Sequence, residues 1–84
     1  MYVSMKEMLK KANRENYAVL AINCFNLETA QATIQAAEEM HAPIIIDLLQ
    51  DHLKEHLSYL YLTKPIIRMA TAAKVPVALN LDHG

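Results

Sequence analysis

The chain has 84 residues, 54% hydrophobic and 20% charged, with one cysteine and a net charge of −1. A chain of this size buries only roughly 60–65% of its unfolded surface, so its own core is small, and a near-neutral charge without a clustered basic face excludes a nucleic-acid binder. The composition also excludes a disordered tail, a collagen-like chain and a loop-rich disulfide scaffold, while the single glycine, Gly84, points to an architecture that is not complete within these residues.

Ser4-Met5-Lys6-Glu7 has the form of a capping box, and Met5, Met8, Leu9 and Ala12 fall on one face of the helix it opens. Lys6, Lys10, Lys11 and Arg14, interleaved with Glu7 and Glu15, read as the solvated face of that helix. The polar stretch Asn13 to Asn16 ends it. Tyr17-Ala18-Val19-Leu20-Ala21-Ile22 is an apolar run of buried-strand length. Asn26 can cap the next helix, Leu27 to Met40, with Glu28 near its positive dipole end and Leu27, Ala30, Ile34 and Ala37 facing inward. His41 stands at the end of this helix, where it can meet unpaired carbonyls, and carries no assigned chemistry.

Pro43-Ile44-Ile45-Ile46 begins a second buried strand that runs to Leu48. A helix is expected over Asp51 to Tyr61, with Leu53, Leu57, Leu60 and Tyr61 on one stripe. Thr63 then caps a further helix, with Pro65 in its first turn and Ile66, Met69, Ala70 and Ala73 inward. Val75-Pro76-Val77-Ala78-Leu79-Asn80-Leu81 is a third strand, followed by Asp82-His83-Gly84. Strands written as continuous apolar runs and joined by helices mean an α/β protein with a parallel sheet. Three such strands correspond to the first part of a doubly wound sheet or of a (β/α)8 TIM barrel, and residues 1–84 are read as one partial domain. No Gly-x-Gly-x-x-Gly follows the first strand, which argues against a dinucleotide-binding sheet.

Parallel α/β folds collect chemistry at the carboxyl ends of their strands. Asn23 follows the first strand, Asp47 and Gln50 the second, and Asp82-His83 the third. Histidine is a common zinc ligand and a neighbouring carboxylate can transfer protons, so Asp82-His83 is the sharpest pair. His52 and His56, spaced i, i+4, could chelate a metal in an unrelated doubly wound domain, although two ligands without a third read better as a solvated face. Cys24 reads as a small buried hydrophobe, and the methionines with Tyr59 and Tyr61 as core or partner contacts. A lone cysteine cannot form an internal disulfide, which suits a reducing, cytoplasmic compartment. The charged start lacks the apolar run of a secretory signal, and no stretch approaches a membrane span, so neither a membrane nor a nucleic acid is an expected partner.

Met5-Lys6-Glu7-Met8-Leu9, Tyr17-Ala18-Val19, Ala21-Ile22-Asn23, Asn26-Leu27-Glu28-Thr29, Ala36-Ala37-Glu38-Glu39 and above all Val75-Pro76-Val77-Ala78-Leu79-Asn80-Leu81-Asp82-His83-Gly84 resemble the amino-terminal stretch of class II fructose-bisphosphate and tagatose-bisphosphate aldolases. The resemblance spans nearly the whole chain. It implies the first third of a zinc-dependent (β/α)8 barrel, a lyase that reversibly cleaves a ketose bisphosphate to dihydroxyacetone phosphate and glyceraldehyde 3-phosphate. By resemblance, His83 matches a zinc ligand, Asp82 the acid/base residue at the aldehyde-derived hydroxyl, and Asn23 a position near the substrate. Zinc would polarise the ketone while the aspartate moves the proton. Two departures stand out: Asn80 occupies the first position of the family's His-x-Asp-His, and Asp47-Leu48-Leu49-Gln50-Asp51 replaces a small Ser/Gly-containing loop. One histidine does not make a catalytic zinc site, which takes about three protein ligands, so the chain by itself is expected to be inactive. The alternative is a non-catalytic, self-associating barrel fragment, since open strand edges seek partners; a homo-oligomer is expected on the same ground.

Overall fold

The computed structural model describes the backbone of residues 1–24, 26–49 and 56–82, with side chains at 1–24, 26–48 and 63–80. Six elements follow in the order α1 (Met5–Glu15), β1 (Leu20–Asn23), α2 (Leu27–Met40), β2 (Ile44–Leu49), α3 (His56–Ala72) and β3 (Val77–Asp82). The three strands form one parallel sheet in the order β1-β2-β3. The α/β alternation expected from the sequence is therefore what the chain adopts.

Local chemistry sets the helix ends. Ser4 Oγ accepts the Glu7 amide at 3.1 Å and caps α1. Asn16 closes that helix in the left-handed region at φ 59°, a conformation asparagine tolerates better than most residues. At α2, Asn26 Oδ1 accepts from the Thr29 amide at 2.8 Å while the Asn26 amide donates to Thr29 Oγ1 at 3.1 Å, a reciprocal box that satisfies two otherwise unpaired donors. His41 ends α2 at φ 53°, its backbone N–H reaching the carbonyls of Ala37 and Glu38.

Parallel register aligns Leu20, Ile44 and Val77 at one level, then Ala21, Ile45 and Ala78, then Ile22, Ile46 and Leu79, then Asn23, Asp47 and Asn80. Successive levels face opposite sides of the sheet. On one side, Ile44, Ile46, Leu48 and Val77 pack with Ala30, Ile34 and Ala37 of α2 and Ile66, Ala70 and Ala73 of α3. Alanine lets both helices approach the sheet closely. On the other side, Ile45 and Ala78 pack with Met8 of α1.

Four expectations are corrected. The first strand covers Leu20–Asn23 rather than Tyr17–Ile22, and all four of its residues are exposed. An apolar strand is buried only when neighbours cover both its edge and its faces, and no described residue pairs with β1 on its outer side. The third strand covers Val77–Asp82 and not Val75–Leu81, because Pro76 has no amide for the ladder and serves only as an acceptor, from the Ile44 N–H at 3.1 Å. The two helices expected on either side of Thr63 are one helix, α3, with Pro65 inside it. Proline removes one helix hydrogen bond, and the fully buried Ile66 and Ala70 just beyond it hold the helix to the sheet. Thr63 is thus not a cap, and its Oγ1 is buried without a hydrogen-bond partner among the described residues. Leu27 and Leu9, placed inward by spacing, are exposed. The expected stripe of Leu53, Leu57, Leu60 and Tyr61, and the side chain of Tyr59, lie outside the described residues.

Candidate functional site

Each strand reads as three apolar residues followed by an amide or a carboxylate: Leu20-Ala21-Ile22-Asn23, Ile44-Ile45-Ile46-Asp47 and Val77-Ala78-Leu79-Asn80. Parallel pairing without a slip brings the three polar residues to one level. That level shares its face with Ile45 and Ala78, two residues earlier, which α1 covers. The sheet's α1 side thus changes from apolar to polar toward the carboxyl ends of the strands.

Asn80 Nδ2 donates to Asp47 Oδ1 at 2.9 Å, a half-buried bond between residues 33 apart in sequence. The Cys24 amide extends the β1–β2 ladder by donating to the Asp47 carbonyl at 3.0 Å. Asn23 stands beside Asp47 in register and is exposed. Cys24 itself is buried, with Sγ 3.6 Å from both the Ile22 carbonyl and Thr33 Oγ1, in keeping with a small packing residue.

The structure places the expected site residues as follows. Asn23 and Asp47 stand in register at one level, where Asn80, not an expected site residue, joins them; Asn23 is the last residue of β1, and Asp47 lies within β2 and not after it. Asp82 is the last residue of β3, its backbone in register with Leu49 of β2. His83, Gln50 and His52 lie outside the described residues, and His56 opens α3 with its side chain outside them. Imidazole and carboxylate are both zinc donors. Among the described residues, however, no group of three or more His, Cys, Asp and Glu could hold a metal ion. A zinc site therefore needs donors beyond these.

The Asp47–Asn80 contact was not anticipated from sequence, where Asn80 stood only as a departure from a motif. The signal was present in the equal count from each strand's start to its first polar residue. Replacing Asn80 with aspartate sets two carboxylates where an amide now meets one. We expect a loss of about 1–3 kcal/mol at neutral pH, since like charges opposed across strands repel and the donor is gone. The repulsion raises the folded-state carboxyl pKa above its unfolded value. The deficit therefore shrinks as pH falls through the carboxylate range and is fully present above it. Urea melts of Asn80→Asp and its parent at neutral and acid pH check this; an equal deficit at both would contradict the contact.

The profile of the family described as fructose-bisphosphate aldolase class-II matches residues 3–84. A fructose-bisphosphate aldolase of Thermus caldophilus is 43% identical over 84 residues, covering 100% of this chain and 27% of that protein. A 6-phospho-5-dehydro-2-deoxy-D-gluconate aldolase of Halalkalibacterium halodurans is 48% identical over 85 residues, covering 98% of this chain and 29% of that protein. The crystal structure of the YdjI aldolase from Escherichia coli K12 superimposes with a TM-score of 0.87 at 30% identity, over 100% of this chain and 32% of that one. The chain thus spans less than a third of each of these proteins, and its three parallel strands are an incomplete TIM barrel.

Proposed function

We infer function from one premise: the chain belongs to the class II fructose-bisphosphate aldolase family. Our reading is that residues 1–84 form one partial barrel domain and supply one wall of a zinc-dependent ketose-bisphosphate aldolase site. The observation that carries it is the common polar level at the carboxyl end of the sheet, with Asp82 and His83 two and three residues beyond Asn80. In this reading His83 is one donor to the metal, and the remaining donors come from outside these residues. Zinc, when bound, supplies Lewis-acid polarisation of the ketone. Asp82 takes up and returns the proton of the hydroxyl that becomes the aldehyde, a role that needs a carboxylate at the strand end. Asn23 offers an amide donor and acceptor to the hydroxyl-rich substrate, and the Asp47–Asn80 bond holds β2 and β3 together beneath. The substrate class is a sugar phosphate.

The test is direct. The 84-residue chain should show no aldol cleavage above a His83→Ala control. A full barrel carrying residues 1–84 in place of the matching segment of the Thermus caldophilus relative should cleave fructose bisphosphate. A folded but inactive chimera would refute the reading.

No helix among the described residues is long and apolar enough to cross a membrane, and the single cysteine motivates a cytoplasmic location. A second reading rests on the exposed outer side of β1: the chain on its own self-associates as a non-catalytic barrel fragment.

A further inference from the structure

One side-chain bond crosses between the two inner-paired strands β2 and β3. These strands pair over six levels, from Ile44 with Val77 to Leu49 with Asp82. Asp47 and Asn80 stand opposite each other at the fourth, where Asn80 Nδ2 donates to Asp47 Oδ1 at 2.9 Å. Among the described residues it is the only hydrogen bond between side chains of different strands. Both residues are half-buried, which shields the bond partly from water.

The apolar pattern alone leaves the register open by two residues. Ile44, Ile46 and Leu48 of β2 alternate on one face, as do Val77, Leu79 and Leu81 of β3. Sliding one strand by two residues would still set apolar against apolar there. The other face decides. After such a slide Asp47 would meet Ala78 or Asp82, a methyl group or a second carboxylate, in place of the Asn80 amide. A polar pair among apolar neighbours specifies register because every other alignment leaves a shielded polar group unpaired or opposes like charges. Asp82 ends β3 two residues past Asn80, about 7 Å along the strand, and His83 follows it.

We propose that Asp47 and Asn80 are positioning residues for aldol cleavage. Their bond sets β3 on β2 at one register, and thereby sets where the end of β3, with Asp82 and His83, stands against the substrate. This rests on the aldolase reading of those two residues. A misplacement of about 1 Å at a reacting group can cost on the order of 100-fold in rate, so a bond one level below the strand end has a catalytic consequence beyond stability.

The test is a double-mutant cycle in the full barrel carrying residues 1–84, with kcat counted per bound zinc. Asp47→Ala and Asn80→Ala should each lower kcat by about tenfold or more while KM moves less than about threefold. The double variant should fall no further than the worse single one, since the bond is lost only once. Asp47→Asn combined with Asn80→Asp exchanges donor and acceptor and should recover most of kcat. A bond that only stabilised the fold would lower the folded fraction and leave kcat per bound zinc unchanged. Hydrogen exchange reads the same effect without activity: in Asn80→Ala the amides of Leu81 and Asp82 should exchange faster, while those of Ile45 and Ile46 stay as slow as in the parent. Losses that multiply in the double variant, a shift in KM in place of kcat, no recovery in the exchanged pair, or unchanged exchange at Leu81 and Asp82 would overturn the proposal. The parent barrel's own rate separates the two failures: a parent that does not cleave fructose bisphosphate refutes the aldolase reading and this proposal with it, whereas an active parent with equally active variants refutes this proposal alone.

Discussion

His83→Ala, made in a full barrel carrying residues 1–84, is expected to lower aldol cleavage by more than about 100-fold, and Asp82→Asn by about 10²–10⁴-fold. The first figure follows from metal sites elsewhere, where loss of even a group that only orients a ligand costs roughly 10–100-fold; loss of the donor itself should cost more. The second is the usual contribution of a positioned proton-transfer group. The two variants should differ in kind. Without His83, zinc occupancy itself should fall, as metal analysis of the purified protein would register. Without the Asp82 carboxylate, occupancy should persist while kcat drops. Full zinc content and full activity in His83→Ala would remove this histidine from the site and with it the assigned role of the β3 end.

Ile46→Ala is expected to destabilise the chain by about 2–5 kcal/mol, the range for truncating a fully buried isoleucine. Ile46 is at the centre of β2, the middle strand, with 0% of its surface exposed, and it packs between α2 and α3. At roughly 0.05–0.15 kcal/mol per residue, that loss is a large part of what holds so short a chain folded, so the variant should be mostly unfolded well below the melting temperature of its parent. Ile46→Val, which removes one methyl group, should cost about 0.5–1.5 kcal/mol. Urea denaturation of the three proteins tests this, and a loss under about 1 kcal/mol for Ile46→Ala would mean that the core is not organised around the middle strand.

The parts of the fold readable from sequence are those fixed by neighbours in the chain. α2 was expected over Leu27 to Met40 and runs over those residues, because the Asn26–Thr29 box and the inward spacing of Ala30, Ile34 and Ala37 are local. β2 was expected from a run of isoleucines, which cannot be shed to solvent on either face. α1 begins at Met5, capped by Ser4, for the same kind of reason. What escaped depends on distant partners. Tyr17 to Ile22 has the composition of a buried strand, yet burial needs cover that no described residue gives β1. Pro65 carries a local signal to begin a helix, but Ile66 and Ala70 gain more by staying on the sheet in one continuous helix. At the site, the residue types were legible and the contact between Asp47 and Asn80 was not, since it depends on how β2 and β3 align.

The sequence by itself therefore determined the alternation of helix and strand and the parallel sheet, because caps and apolar runs are written in adjacent residues, and the Asp82-His83 dipeptide carries the chemistry proposed for the strand ends. Only the tertiary structure decided the register. Backbone hydrogen bonds between parallel strands lock in steps of two residues along one face, and it is this locking that levels Asn23 with Asp47 and Asn80. The same sheet decided where the first residues go: Met1 to Val3 fold back onto Val77 across more than seventy residues, a long-range contact that no local pattern encodes.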